Sequence, residues 1–172
     1  MNTRPIPSTG EALPVIGCGT YVGFDHAPGT PEYAQLPGVV GVLLDAGGKL
    51  LDSSPMYGRA EATTGELLAA NGRRGETFLA TKVWTSGRAE GVRQMEASMR
   101  LLRADRIDLM QIHNLLDWRT HLATLRAWTN AGRSRSVSIA AMSATMPGTV
   151  ATCSASCPSV HDFGCGRHER CP

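Results

Sequence analysis

Lysine is scarce in this 172-residue sequence: of 17 basic residues, Lys49 and Lys82 are lysines and all others are arginines. A GC-rich coding sequence accounts for such a bias. A lysine kept inside an apolar strand therefore asks for a chemical reason, because only lysine offers a compact charge with an easily tuned pKa. A clustered basic stripe is also lacking. The net charge is +2 and the arginines scatter along expected helix faces, which argues against a nucleic-acid partner. Met1 to Gly10 contains no apolar segment of the secretory type. The longest apolar runs, such as Gly38 to Leu44, are far too short to span a bilayer. A soluble, cytoplasmic protein without a membrane partner is the expectation. Leucine does not occur beyond Leu125, and four of the five cysteines fall in the last twenty residues.

What is present is an alternation of strand and helix patterns. Ile6 and Leu13 flank a turn at Ser8-Thr9-Gly10, which predicts a hairpin. Strands are predicted over Val15–Gly19, Lys49–Asp52, Thr77–Val83 and Arg106–His113. Helices are predicted over Glu32–Leu44, interrupted or restarted by Pro37, and over Ala60–Ala70, Arg88–Arg103 and Trp118–Ala131. The third helix is the clearest, with Val92, Met95, Met99 and Leu102 on one stripe, and Gly132 is placed to cap the fourth. Such an order implies parallel strands joined by right-handed crossovers, in an open doubly wound sheet or a (β/α)8 barrel. No G-x-G-x-x-G follows the first strand. Gly17-Cys18-Gly19 runs on into Thr20-Tyr21-Val22-Gly23 and a loop, which weakens the dinucleotide fingerprint of the open sheet.

Four ionisable residues stand at or just beyond the C-terminal ends of predicted strands: Asp52, Tyr57, Lys82 and His113. In a parallel barrel these ends share the face on which active sites form. Each residue also has a structural reading. Asp52 with Ser53 and Ser54 could cap a turn, Tyr57-Gly58 could be a surface turn, Lys82 could snorkel, and His113 could be a satisfied core histidine. Their joint placement favours chemistry.

The stretch Leu51-Asp52-Ser53-Ser54-Pro55-Met56-Tyr57-Gly58, followed by Glu61 and Gly65, resembles the aldo/keto reductase signature. Ala80-Thr81-Lys82-Val83 resembles that family's lysine strand, and Asp108-Leu109-Met110-Gln111-Ile112-His113 its histidine strand. Gly17-Cys18-Gly19-Thr20 is similar to its opening strand, and the likeness extends over roughly Arg4 to Arg135. The resemblance implies an α/β fold of the (β/α)8 TIM-barrel type, incomplete, with about four β/α units. It implies an oxidoreductase that reduces a small-molecule aldehyde or ketone with NADPH (NADP) as cofactor. Tyr57 would be the general acid, its pKa lowered by Lys82, with Asp52 holding Lys82 and His113 orienting the substrate oxygen. Gly19, Thr20, Tyr21 and Asp52 would lie beside the cofactor, and Tyr21, Met56, Trp84 and His113 would line the substrate pocket.

Residues 1–135 are thus expected to form the first half of such a barrel. Residues 136–172 read as an irregular tail rich in Ser, Ala, Thr, Cys and Gly. Three accounts of the tail stay open: a reading-frame shift near Ser134, a flexible appendage, or a metal-binding segment built on Cys153, Cys157, His161, Cys165, His168 and Cys171. That spacing matches no standard zinc pattern, and no metal is expected. A half-barrel leaves two open edges, so marginal stability, self-association through those edges and weak cofactor binding are expected. A non-catalytic half-barrel with an interaction or regulatory role is the competing function.

Overall fold

The computed structural model describes residues 1–7, 9–140 and 152–154. The expectations for Cys157, His161, Cys165, His168 and Cys171 lie outside the described residues.

A hairpin of β1 (Thr3–Pro5) and β2 (Ala12–Pro14) opens the chain. A six-stranded sheet follows, in the order β3 (Gly17–Gly19), β4 (Leu50–Asp52), β5 (Phe78–Val83), β6 (Ile107–His113), β7 (Ser134–Ala140) and β8 (Thr152–Ser154). The first five strands are parallel neighbours in sequence order, and β8 pairs antiparallel with β7. Helices α1 (Pro31–Asp45), α2 (Ala60–Asn71), α3 (Arg88–Leu101) and α4 (Trp118–Asn130) connect the parallel strands. The result is four β/α units and a fifth strand of an incomplete (β/α)8 fold. The sheet continues past residue 135, because β7 starts at Ser134.

Two local expectations need correction. β3 begins at Gly17 rather than Val15, because the Val15 amide donates to Asn2 O (3.0 Å) and the chain bends there to leave the hairpin. Pro37 does not interrupt α1, which is one helix of 15 residues. Thr30 caps it by accepting from Tyr33 N (3.2 Å), and Pro31 occupies its first turn. Pro37 sits on the exposed side, where a missing amide hydrogen bond opens to water, while Leu36, Val40 and Leu44 bury the opposite stripe.

The core lies between the sheet and the helices. Leu51, Leu79, Val83, Met110 and Ile112 from the strands pack with Leu68, Met95, Leu102 and Leu125 from the helical layer. Side chains alternate along each strand, so residues flanking these face the other side of the sheet. The helices approach closely where glycine permits it. A Cβ on Gly65 would lie 2.1 Å from Leu101 O, and one on Gly91 2.5 Å from the His121 ring. Among the described residues no helix is long and apolar enough to cross a membrane.

Gly65→Ala is therefore expected to destabilise the fold. Alanine gains about 1 kcal/mol in helix propensity, but pushing α2 off the backbone of Leu101 and Leu102 costs about 1–3 kcal/mol. Urea denaturation should show a net loss. A variant as stable as the wild type would mean that α2 can withdraw freely.

Candidate active site

Strand register decides which side chains meet. Asp52 lies opposite Ala80, and Lys82 lies opposite Gln111. Asp52 ends β4, Lys82 is the penultimate residue of β5, and His113 ends β6. All three thus rise at one end of the parallel sheet.

Lys82 is only 5% exposed. Its Nζ donates to Asp52 Oδ2 (2.7 Å) and to Ser53 O (2.7 Å). The second oxygen of Asp52 accepts from Gln111 Nε2 (2.9 Å). Thr20 is buried behind this group and donates to Ser53 Oγ (2.9 Å), and its backbone amide donates to Asp52 O (3.0 Å). β3 is thereby tied to the end of β4.

Tyr57 stands on the loop between β4 and α2. The loop is seated by Asp25, whose Oδ1 accepts from Arg59 N (2.7 Å) at the start of α2. Gly58, at φ +57°, leaves room for that carboxylate: a Cβ there would lie 2.3 Å from Asp25 Oδ2. The Tyr57 ring meets Tyr21 at 5.0 Å between centroids and His113 edge-on at 6.2 Å. Lys82 Nζ sits 5.1 Å from its centroid. The four expected catalytic positions are therefore brought together in one cluster.

The surroundings set the protonation states. Burial raises the Tyr57 phenol above its ordinary value, and the charges of Asp52 and Tyr21 add to the rise. The expected lowering by Lys82 is not found. The ammonium is matched by the Asp52 carboxylate at 2.7 Å, so the phenol faces a compensated pair rather than a free cation. Burial and then Lys82 lower the pKa of His113, with Asp52 opposing, so the imidazole is neutral at pH 7. His113 is 3% exposed, and its Nδ1 is buried without a partner among the described residues.

The other expected site residues form the rim. Gly19 opens onto free space, Tyr21 is 66% exposed, and Met56 and Trp84 are exposed on the loops after β4 and β5. Neither Met56 nor Trp84 joins the aromatic cluster of Tyr21, Tyr57 and His113.

Gln111 was not foreseen as a site residue. A signal for it exists: it lies two positions before His113, hence on the same strand face, and beside Lys82 once the strands pair. Glu61 and Gly65 of the signature stretch are structural. The Glu61 carboxyl is buried and accepts from Thr81 Oγ1 (2.5 Å) and Ser98 Oγ (3.1 Å), joining α2 to β5 and α3. A cavity of about 420 Å³ lies at the opposite end of the strands. Its lining includes the ion pairs of Arg135 with Asp108 and Glu11, so it is not part of this cluster.

A neutral buried histidine makes stability depend on pH. As pH falls below about 6.5, the ordinary histidine value, the unfolded chain takes up the proton before the folded one does. The stability attached to neutral His113 is complete above that pH and lost progressively below it. The stability difference between wild type and His113→Gln, from urea melts, should thus shrink from pH 7 to 5. A difference independent of pH would show that His113 is not held neutral.

A sequence model of the aldo/keto reductase family matches residues 15–153. Methylglyoxal reductase YeaE of Escherichia coli strain K12 is 35% identical over 119 residues, which cover 66% of this chain and 40% of that protein. Aldo-keto reductase YhdN of Bacillus subtilis strain 168 is 32% identical over 126 residues, covering 66% and 38%. An aldo-keto reductase from Klebsiella pneumoniae, solved in complex with NADPH, superposes with a TM-score of 0.67 at 24% identity, covering 81% of this chain and 50% of that one. At that identity the likeness is one of fold. The chain spans about two fifths of the length of these curated relatives.

Proposed function

Since this chain belongs to the aldo/keto reductase family, we propose that it carries an oxidoreductase centre that reduces an aldehyde or ketone to the alcohol with NADPH, using Asp52, Tyr57, Lys82 and His113. The observation that supports this most is the convergence of Tyr57, His113 and the Lys82–Asp52 pair at the C-terminal ends of adjacent strands. The name of the E. coli relative, a methylglyoxal reductase, agrees with carbonyl chemistry.

The residues fit the reacting end of a nicotinamide dinucleotide. Free space above Gly19 and the exposed Tyr21 ring leave room beside Asp52, while the buried Nδ1 of His113 has no partner among the described residues. Gly19, Thr20, Tyr21 and Asp52 would hold that end. When bound, the dinucleotide supplies the hydride. Tyr57 donates its phenolic proton to the substrate oxygen as negative charge develops there. Its raised pKa keeps that proton in place at neutral pH. His113, neutral, orients the same oxygen by a hydrogen bond. Lys82 bears on the face of the Tyr57 ring, and Asp52, Ser53 O and Gln111 keep it there.

With cofactor contacts in this reading limited to Gly19, Thr20, Tyr21 and Asp52, binding to the chain should be weaker than micromolar. Self-association through the open edges of the sheet belongs to the same proposal.

NADPH oxidation with an aromatic aldehyde tests the reading on wild type and Tyr57→Phe. Loss of the acid should slow turnover by about 10²–10⁴-fold. The wild-type rate should hold from neutral pH up to about pH 10, the ordinary tyrosine value, and fall only above it as the phenol ionises. Equal turnover by the two proteins would sink the catalytic reading, and no turnover by either would favour a non-catalytic half-barrel.

A further inference from the structure

The four-residue loop Trp84–Gly87 joins β5 to α3, next to Lys82. Three side chains from outside the loop hold three of its peptides. Gln94, on α3, accepts from Trp84 N at Oε1 (2.6 Å) and donates from Nε2 to Trp84 O (3.1 Å). One amide side chain thus engages both polar groups of one residue, as a neighbouring strand would. His121, on α4 and wholly buried, donates from Nε2 to Thr85 O (2.7 Å). Its ring packs into the space left by Gly91. Asp117 accepts from Gly87 N at Oδ2 (2.8 Å). Asp117 itself lies in the left-handed region at φ +46°, with Asn114 at +53° and Leu115 at +57°. Residues with a Cβ keep such backbone only when their surroundings hold it.

The backbone of Trp84 is therefore pinned while its side chain is 40% exposed. Trp84 directly follows Val83, the last residue of β5, which packs into the helical core, so a chain that continues in the strand's direction carries the indole toward the side of the sheet that bears Lys82. A large flat apolar surface on an immobile mount binds with little ordering cost. We propose that Gln94 is a positioning residue that sets Trp84 as a fixed wall for a flat, apolar carbonyl substrate, in preference to a small aliphatic one. This rests on the reductase reading for the word substrate, but the pinned wall does not depend on turnover.

Three measurements test it on the full chain. The three tryptophans, Trp84, Trp118 and Trp128, give three indole signals in a tryptophan-labelled sample. Acetophenone should shift the Trp84 signal in wild type and leave it in place in Gln94→Ala, while acetone shifts neither. Amide hydrogen exchange at Trp84 should be at least about tenfold faster in Gln94→Ala, with Leu79 in β5 unchanged. Gln94→Glu keeps the acceptor for the Trp84 amide and should fall between the two. In turnover, Gln94→Ala should raise KM for benzaldehyde about tenfold, with kcat within about twofold and KM for acetaldehyde unchanged. An unchanged Trp84 exchange rate, or an equal acetophenone shift in both proteins, overturns the proposal. If neither protein turns over but the exchange and shift results hold, the reductase reading fails and the positioning role stands. If both turn over with equal KM for benzaldehyde, the positioning role fails and the reductase reading stands.

Discussion

The buried ammonium of Lys82 is the constraint from which the site is built. Taking a lysine charge out of water is costly unless a counter-ion and further hydrogen bonds replace the lost solvation. Asp52 and the Ser53 carbonyl, both at 2.7 Å, do so here. Gln111 then takes the second Asp52 oxygen, so the carboxylate cannot rotate away. These groups come from the loop side of β4, from β5 and from β6, and they meet only in the observed register. A slip of one residue would turn Lys82 into the helical layer and Thr81 into the site. The pairing also has an electrostatic result. With Asp52 paired to the ammonium, burial, not Lys82, sets the direction of the Tyr57 shift.

The same strand is held from its other face. Thr81, beside Lys82 in sequence, points into the helical layer and donates to buried Glu61, which also accepts from Ser98. Burial pushes the Glu61 carboxyl above the ordinary carboxylate range, and these two hydroxyls with Lys82 oppose that push. One carboxylate in front of β5 and one carboxyl behind it thus bracket two consecutive residues. Gly65 and Gly91 let α2 and α4 come near enough to α3 for this layer to close.

Much of this was legible in the residues alone. The parallel order, four helices and the strand-end positions of Asp52, Lys82 and His113 follow from periodicity, and the rarity of lysine points to Lys82 before any strand is paired. What escaped depends on distance along the chain. Asp25 seats the start of α2 from the loop after β3, a long-range cap that no local window contains. Gln111 reads as an unremarkable strand residue until register places it beside Lys82. Pro37 reads as a breaker because its exposure, which makes the missing amide bond tolerable, is a tertiary fact. The sign of the Tyr57 shift depends on burial of the phenol and on the pairing of Lys82 with Asp52, and both are tertiary facts.

The cluster and the rim differ in how they are anchored. Asp52, Lys82, Gln111 and His113 come from three adjacent strands, so their arrangement is complete within a contiguous piece of sheet and needs no barrel closure. Tyr57 and Trp84 stand on loops, and each loop is fixed by side chains from outside it: Asp25 for the first, Gln94, His121 and Asp117 for the second. A peptide held at both its amide and its carbonyl has lost most of the freedom that an exposed loop keeps. The cluster of Tyr57, His113 and the Lys82–Asp52 pair and the pinned backbone of Trp84 are therefore both set by four β/α units.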